Sequence, residues 1–325
     1  MVRALIQRDK NIPIAWDDVA EADFPAEPVT VRVSHSALNY KDALALTGRA
    51  PIFRRFPMVA GIDLAGVVAA DASGTFSVGA PVLATGHGLG EAHWGGYSEQ
   101  ARLKLEWLMP IPSGMTPVDA MTLGTAGLTA MLSILALERH GVGKDDGPVL
   151  VTGATGGVGS LAVLLLAARG YRVVAATGRA QQESAYLHAL GAAEILDRSE
   201  LDAEPKPLAK ERWAAAVDVL GGRALANVLA GLRYGGAVAA SGLAQSMALP
   251  ASVAPFILRG VSLLGIDSVA APRQRREEAW TQLSRAAAGG ALDRIRSLHA
   301  FSDVQTLAST LLDQKSHGRI VLQWA

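Results

Sequence analysis

Residues Val149 to Ser160 read VLVTGATGGVGS, which is a short apolar strand followed by a glycine turn and the start of a helix. Gly156 and Gly159 take the second and third glycine positions of the G-x-G-x-x-G fingerprint, and Ala154 takes the first. The second glycine of such a loop lets the backbone approach a pyrophosphate, and the third permits close packing of helix against strand. The segment predicts a dinucleotide-binding loop; the alternative is a glycine-rich connection without a ligand. Its predicted contacts are Ala154, Thr155, Gly156, Gly157, Val158 and Gly159.

Strand-like and helical segments alternate from this loop onward. Helical stretches at 158–169, 180–190 and 223–233 separate most of the strands. Such alternation predicts parallel strands joined by right-handed helical crossovers, and six strands complete a doubly wound α/β sheet. The predicted strands are Val149–Thr152, Arg172–Ala176, Ala193–Leu196, Ala215–Val219, Ala237–Ala240 and Val261–Gly265.

A different pattern precedes this region. Short β-branched runs at Val29–Val33, Gly66–Ala70 and Val82–Ala84 are separated by glycine- and proline-rich turns, which predicts a partly open β-barrel domain. A length of 325 residues suits two domains. Because six strands already complete the sheet, we expect the tail, which ends in a strand at Arg319–Gln323, to return to the first domain. We therefore predict a catalytic domain at 1–121, completed by 270–325, and a dinucleotide domain at 122–269.

The composition limits the chemistry and the partners. Lys+Arg and Asp+Glu balance at 30 each, so no positive field favours nucleic acid or an anionic membrane surface, and small molecules are the expected partners. The absence of cysteine excludes thiol nucleophiles, iron–sulfur clusters and Cys-ligated zinc. The start, MVRALIQRDK, reads as a strand rather than a signal peptide, and Leu161–Ala168 is too short for a membrane span, so we expect a cytoplasmic protein.

The residues after the second strand predict which dinucleotide binds. An acid about 20 residues past the glycines usually holds the ribose 2′-hydroxyl of NAD. Here the segment reads Ala176-Thr177-Gly178-Arg179, with no acid before Glu183. A hydroxyl and a guanidinium suit the 2′-phosphate of NADP, so we predict NADP(H) bound by Thr177, Gly178 and Arg179. The alternative is that Arg179 only begins a solvated helix face.

Four further segments stand in an order that resembles the medium-chain dehydrogenase/reductase superfamily. They are Leu38-Asn-Tyr-Lys-Asp42, Gly61-Ile-Asp-Leu-Ala-Gly66, Leu123-Gly-Thr-Ala-Gly-Leu-Thr129 and His317-Gly-Arg-Ile-Val321. This resemblance covers essentially the whole chain. It implies a GroES-like β domain first, a Rossmann domain second, and a C-terminus that returns to the first domain.

Two other dehydrogenase classes fit less well. Zinc alcohol dehydrogenases of the superfamily carry Cys at the position of Asn39 and Gly-His-Glu at Gly61-Ile62-Asp63, so a catalytic tetrahedral zinc cannot be assembled from those positions. The short-chain family has a similar glycine loop, but its enzymes start with that loop and need a Tyr-x-x-x-Lys pair. The tyrosines that lack a lysine four residues later are Tyr40, Tyr97, Tyr171, Tyr186 and Tyr234.

The remaining branch is zinc-free and quinone-oxidoreductase-like. Within it the chain looks most like acrylyl-CoA reductases, on the segments Asn39 to Gly48, Phe53 to Pro57, His93-Trp-Gly-Gly96 and Pro255 to Ser268. The resemblance implies reduction of the activated C=C bond of a small 2-enoyl thioester, such as acrylyl-CoA to propionyl-CoA. Hydride would reach the β-carbon and a proton the α-carbon. A quinone or alkenal/enone reductase and a non-catalytic redox sensor or structural protein are the alternatives.

The same resemblance implies further site residues. Tyr40 is the candidate for positioning substrate or relaying a proton, and Asn39 for orienting cofactor or substrate, unless Tyr40 is simply packed with its hydroxyl satisfied. Asp42 is expected to be a helix-start carboxylate rather than a base, and His35 a core residue. Arg54 and Arg55 are candidates for the phosphates of coenzyme A, unless they are merely solvated. The remaining implied cofactor contacts are Thr125, Ser241, Phe256, Leu258 and Ser268. The alternative for Phe256, Leu258 and Ser268 is that they form the core of the fifth and sixth strands, and Thr125 could simply pack in a helix.

The predicted sixth strand, Val261–Gly265, also bears on assembly. An apolar strand at the edge of a sheet exposes unpaired backbone groups, and pairing across a two-fold axis removes that liability. We therefore expect a homodimer.

Overall fold

The computed structural model describes residues 1–287 and 290–324. It divides into two compact units, one formed by Met1–Thr125 with Val269–Ala325 and the other by Ala126–Ser268. The first unit thus contains the returning tail. The boundaries expected from the sequence, after residues 121 and 269, lie a few residues from these.

The N-terminal part of the first unit is built of short strands, as predicted. One three-stranded sheet has the order β2-β1-β4, and β3 pairs with β5 and β7 of a second sheet, which continues through β6 to β8. The only α-helix before residue 117 in this described part is α1 (Tyr40–Leu46). The strands are β1 (Val2–Gln7), β2 (Ala15–Val19), β3 (Val29–Leu38), β4 (Met58–Val59), β5 (Asp63–Asp71), β6 (Pro81–Thr85), β7 (Gln100–Leu103) and β8 (Met109–Pro110).

A long apolar helix, α2 (Pro117–His140), follows these strands. Gly124 interrupts it with φ 47° and ψ −149°, so two helical pieces meet there. The helix is long and apolar enough for a membrane span, but 89% of its most apolar window is buried within the protein, as in the core helix of a soluble protein.

The second unit holds a six-stranded, fully parallel sheet of order β11-β10-β9-β12-β13-β14. This is the predicted doubly wound arrangement, and the fold prediction is confirmed. Its strands are β9 (Val149–Val151), β10 (Val173–Thr177), β11 (Glu194–Asp197), β12 (Trp213–Asp218), β13 (Leu232–Ala240) and β14 (Ser262–Gly265). Its helices are α3 (Gly157–Ala168), α4 (Ala180–Ala189), α5 (Gly222–Ala230) and α6 (Ala254–Arg259).

The sequence did not predict α6. Phe256 and Leu258 lie on this helix, so the alternative reading of them as core residues of the fifth and sixth strands is wrong. Phe256 packs at the edge of the core, whereas Leu258 is 62% exposed. A proline at the start of the helix and Gly260 in the left-handed region after it set its ends.

The tail returns to the sheet of the first unit. It contains α7 (Arg273–Ala287), β15 (Arg296–Ala300), α8 (Val304–Leu312) and β16 (Arg319–Gln323). Strand β16 pairs with β3, placing Ile320 opposite Leu38 and Val321 opposite Ala37. This register brings Arg319, at the start of β16, to the end of β3, where Asn39 begins the next helix.

Candidate functional site

The glycine loop of the second unit has the geometry that its sequence predicts. A Cβ atom added at Gly159 would lie 2.2 Å from the carbonyl oxygen of Gly153, so no side chain fits at that position. Gly156 is the N-cap of α3, and Ala154 is fully buried with its amide bonded to the carbonyl of Ala176 at 3.0 Å. Helix and strand therefore meet at the loop as closely as the third glycine allows.

The first turn of α3 contains backbone amide groups that can bind a ligand. Within residues 1–287 and 290–324, the amides of Gly157, Val158 and Gly159 have no hydrogen-bond acceptor, as expected for the first turn of a helix. Three N–H groups at the positive end of a helix dipole form a binding site for an anion such as a pyrophosphate. The loop residues therefore fit the phosphates of a dinucleotide.

The end of β10 carries the residues predicted to select NADP(H). Thr177 is buried, and its hydroxyl lies 3.3 Å from that of Thr155 and accepts from the amide of Arg179. The Arg179 guanidinium forms an ion pair with Glu183 at 3.0 Å. Arg179 is therefore in the expected place, but part of its charge is already matched by a carboxylate.

A second arginine lies beside Gly178. A Cβ atom added at Gly178 would lie 3.3 Å from the Cζ atom of Arg198, which follows β11. The Nε of Arg198 is buried and has no hydrogen-bond partner within the described residues, and the nearest carboxylate oxygen, from Asp202, is 3.7 Å away. A buried donor without a partner is costly, and a phosphate oxygen would satisfy it. Arg198 is thus a further candidate for the 2′-phosphate beside Arg179, and sequence reasoning missed it.

Two of the other predicted contacts of the second unit, Ser241 and Ser268, lie just after strands. Ser241 follows β13 and is half-buried, with its amide donating to the carbonyl of Asp218 at 2.9 Å. Ser268 follows β14 and accepts from the hydroxyl of Thr129 at 2.7 Å. Carboxyl ends of parallel strands are where ligands bind in such sheets. The roles of Ser241, Ser268, Phe256 and Leu258 stay predictions.

In the first unit, Tyr40 and Asn39 have very different surroundings. Tyr40, the first residue of α1, is 47% exposed, and its hydroxyl has no hydrogen-bond partner in the described part of the chain. The role of Tyr40 stays a prediction. Asn39 is 7% exposed, and its side-chain amide is held at both ends.

A buried charged cluster surrounds Asn39. Its Nδ2 donates to Asp63 at 2.9 Å, and its Oδ1 accepts from the Arg319 guanidinium at 2.9 Å. Thr125 donates to the same Asp63 carboxylate from its amide, at 2.9 Å, and from its hydroxyl. Arg319 and Asp63 are 3% and 0% exposed, with 3.7 Å between their nearest charged atoms. We call Asn39, Asp42, Asp63, Thr125 and Arg319 the buried polar cluster.

Asp42 lies in the first turn of α1, where its carboxylate takes part in the capping box. The pKa of this carboxylate is also shifted. Its Oδ2 accepts from the amide of Asn39 at 2.9 Å and its Oδ1 from the amide of Ile62 at 3.0 Å. Burial, with help from the charge of Asp63, raises the pKa of Asp42 from 3.8 to about 7, and these hydrogen bonds oppose the rise. Asp42 therefore changes charge near neutral pH.

Arg54 and Arg55 lie on an exposed loop, where a phosphate-bearing substrate has access to them. The Arg54 guanidinium is 3.4 Å from Glu91, which also forms an ion pair with Lys41 at 2.7 Å. Arg55 has no ion pair within the described ranges. Both arginines remain available to a phosphate, and their role stays a prediction.

The positions that hold zinc in the alcohol dehydrogenases are filled differently here. Asn39 and Ile62 stand at two of them, and the cation beside Asn39 is the Arg319 guanidinium. Groups of three or more His, Asp or Glu side chains able to hold a metal ion do not occur among residues 1–287 and 290–324.

Three residues of these sites were absent from the sequence-based set: Asp63, Arg198 and Arg319. Asp63 and Arg319 are charged residues at the starts of buried strands, which is a signal that they need partners. Arg198 has no comparable signal, because an arginine after an edge strand is usually solvated.

Two family models match the chain. The model described as alcohol dehydrogenase GroES-like domain matches residues 25–113, and the model described as zinc-binding dehydrogenase matches residues 157–285. The second match begins within the glycine loop, at Gly157, and the first includes Asn39, Tyr40 and Asp63.

Individual relatives cover nearly the whole chain. The acrylyl-CoA reductase AcuI of Ruegeria pomeroyi is 46% identical over 301 residues, 92% of this chain and 91% of that protein. The YhdH oxidoreductase of Salmonella enterica, crystallised with NADP, is 46% identical with a TM-score of 0.96 and covers 99% of this chain and 100% of its own.

A third relative comes from Bacillus subtilis. Its YhfP protein, named "Putative quinone oxidoreductase YhfP", is 44% identical over 283 residues, 86% of either chain. The YhfP crystal structure, with NAD bound, has a TM-score of 0.94 and 39% identity, and covers 99% of both chains.

Proposed function

The chain is an oxidoreductase of the medium-chain dehydrogenase/reductase superfamily, and from that premise we propose that it reduces the activated C=C bond of a small 2-enoyl thioester with NADPH. Acrylyl-CoA, which would yield propionyl-CoA, is the proposed substrate. The observation that carries the proposal is the extensive similarity to an acrylyl-CoA reductase. The zinc positions filled by Asn39 and Ile62 support a reaction without a metal.

The site around Gly178 supports NADPH as the reductant. Arg198, Arg179 and the Thr177 hydroxyl supply donors for a 2′-phosphate, and the amides of α3 supply donors for the pyrophosphate. When bound, NADPH supplies the hydride for the β-carbon of the enoyl thioester.

The residues of the first unit are assigned to the substrate. The half-exposed Tyr40 hydroxyl, which has no partner within the described residues, contacts the thioester or passes a proton to its α-carbon. Arg54 and Arg55 bind phosphates of coenzyme A from their exposed loop. Asn39 orients the reactants through an amide that the buried polar cluster fixes.

A quinone or enone reductase is the second candidate function, and the similarity to YhfP favours it. A conjugated carbonyl accepts hydride by the same chemistry, but it carries no phosphates. Arg54 and Arg55 would then have no partner in the substrate, so their variants separate the two candidates.

NADPH oxidation with acrylyl-CoA, with a benzoquinone and with no acceptor tests the proposal. We expect turnover with the thioester and little with the other two. Turnover with the quinone alone would support the second candidate. No turnover with either acceptor would support a dinucleotide-binding sensor. Arg55→Ala should raise KM for acrylyl-CoA about 10-fold and leave KM for NADPH unchanged.

A further inference from the structure

We propose that Asp63 is a positioning residue, whose buried carboxylate fixes the side chains of Asn39 and Thr125 in the only arrangement that serves cofactor and substrate. The inference rests on the proposed function for the roles of Asn39 and Thr125. It assigns to Asp63 an action through these two residues rather than a contact with a reactant.

The Asp63 carboxylate holds both residues at once. Its Oδ2 accepts from Asn39 Nδ2 at 2.9 Å and from the Thr125 amide at 2.9 Å, and its Oδ1 accepts from the Thr125 hydroxyl. Asp63 is completely buried. Water therefore cannot replace the carboxylate as an acceptor, and each donor has one orientation that satisfies it.

Arg319 fixes the other end of the Asn39 amide. Its guanidinium donates to Asn39 Oδ1 at 2.9 Å and to the carbonyl of Thr122 at 2.9 Å. The amide oxygen of Asn39 thus faces a cation and the amide nitrogen faces an anion. A flipped amide would set its oxygen against the Asp63 carboxylate and its NH2 group against the Arg319 donors, so only one orientation satisfies both partners.

Glycines hold Asp63 in place. A Cβ atom at Gly124 would lie 2.5 Å from Asp63 Oδ2, and one at Gly96 would lie 2.3 Å from the Asp63 carbonyl oxygen. A Cβ atom at Gly95 would lie 2.1 Å from the carbonyl oxygen of Gly61. At Gly124 and Gly96 the backbone therefore packs against Asp63 so closely that a side chain there would displace it.

A purely structural role does not explain a charge at this position. Burying an ion pair is costly, and apolar residues of similar volume often stabilise a core as well or better. Unlike an apolar pair, the ion pair of Asp63 and Arg319 defines the orientation of the Asn39 amide and the Thr125 hydroxyl next to it. Orientation of reacting groups is worth much in catalysis.

The test is Asp63→Asn, whose amide nitrogen would face donors where a carboxylate oxygen now accepts. We expect kcat with acrylyl-CoA to fall about 10-fold or more, and the NADPH dissociation constant, measured by cofactor fluorescence without substrate, to rise about 5-fold. Unchanged values of both quantities would overturn the proposal.

Asp119→Asn is the matched control. Asp119 also accepts from a threonine amide, a threonine hydroxyl and an arginine, through Thr116 and Arg296, but it contacts no proposed site residue. It should lower the unfolding temperature and leave kcat and NADPH binding within about twofold of the wild type. A loss of NADPH binding as large as that of Asp63→Asn would show a general effect of destabilisation and contradict the assignment.

Two variants that keep the carboxylate decide the matter if Asp63→Asn does not fold. Asn39→Ala and Thr125→Val each remove one group that Asp63 holds, so their effects on NADPH binding should be non-additive in the double variant. Additive effects would overturn the proposal. NADPH binding needs no acceptor, so it tests the role of Asp63 even if the protein does not reduce acrylyl-CoA. Failure to reduce acrylyl-CoA would contradict only the proposed function.

Discussion

Asp42 is a residue whose ionisation affects stability near neutral pH. Its pKa is raised from 3.8 to about 7 in the folded protein, chiefly by burial. Between these values the folded state binds more protons than the unfolded chain, so the free energy of unfolding falls as pH rises and levels off above about pH 7. Asp42 therefore favours the folded state in acid and costs stability in mild alkali.

Replacing Asp42 with asparagine removes this titration. We expect the unfolding temperature of Asp42→Asn, relative to the wild type, to rise between pH 5 and about pH 7 and to level off towards pH 8, as measured by calorimetry at about one-unit steps. Asp119→Asn is the control, because hydrogen bonds from Thr116 and Arg296 outweigh burial and lower the pKa of Asp119. Its difference from the wild type should be flat over that range, and a flat Asp42→Asn difference would contradict the assignment.

Arg198 and Arg179 carry the prediction on cofactor choice. Each of Arg198→Ala and Arg179→Ala should raise the dissociation constant for NADPH about 10-fold or more and that for NADH less than about twofold, because only NADPH has the 2′-phosphate. Arg198 should show the larger effect, since its ion pair with Asp202, at 3.7 Å, is longer than the 3.0 Å pair of Arg179 with Glu183. Fluorescence titration with each cofactor measures these dissociation constants. If a variant loses affinity equally for NADPH and NADH, the replaced arginine does not bind the 2′-phosphate.

Residues joined by local spacing could be predicted from the sequence, and residues joined across the chain could not. The glycine loop and the Asp42 helix start follow from spacings of a few residues. Arg319 and Asn39 are 280 residues apart, and their contact depends on the register of β16 against β3. No local pattern contains that register, so only the resemblance pointed to the segment around Arg319.

At the scale of elements, periodicity predicted the doubly wound sheet because each of its strands is followed by a clear turn or helix. Helix α6 was missed because six residues are too few for a helical period to show, and its apolar residues read as strand. Contrary to its reading as core, Leu258 is exposed on that helix.

The junction of β9 and α3 depends on Gly159. Gly159→Ala should abolish detectable NADPH binding, because the new methyl group would lie 2.2 Å from the Gly153 carbonyl oxygen and push the helix from the strand. Gly265→Ala, in β14, is the control, because its added methyl group would meet no atom within 4 Å. Titration of both variants with NADPH tests this, and normal binding by Gly159→Ala would refute the close packing.

At the scale of the whole molecule, the exposed edge of the parallel sheet supports our proposal of a homodimer. β14 is the last strand of its sheet, pairs only with β13 within the described residues, and carries Leu263 at 36% exposure. Pairing two β14 strands across a two-fold axis would cover both edges.

Sedimentation at micromolar concentration tests this assembly. We expect a dimer for the wild type and mainly monomer for Leu263→Lys, because lysine on an edge strand opposes pairing. Leu298→Lys is the control, since Leu298 lies on β15, the edge strand of the other large sheet, and is 44% exposed. A monomeric wild type, or an equal loss of the dimer in Leu263→Lys and Leu298→Lys, would rule out the β14 interface.

Hydride transfer to a carbon–carbon double bond is the central claim about the whole protein. The direct measurement uses NADPH with deuterium at C4, in separate 4R and 4S forms, and acrylyl-CoA in ordinary water. One of the two forms should give propionyl-CoA with a single deuterium at C3 and none at C2, as read by NMR of the product. NADPH oxidation without deuterium in propionyl-CoA, or without propionyl-CoA at all, would contradict it.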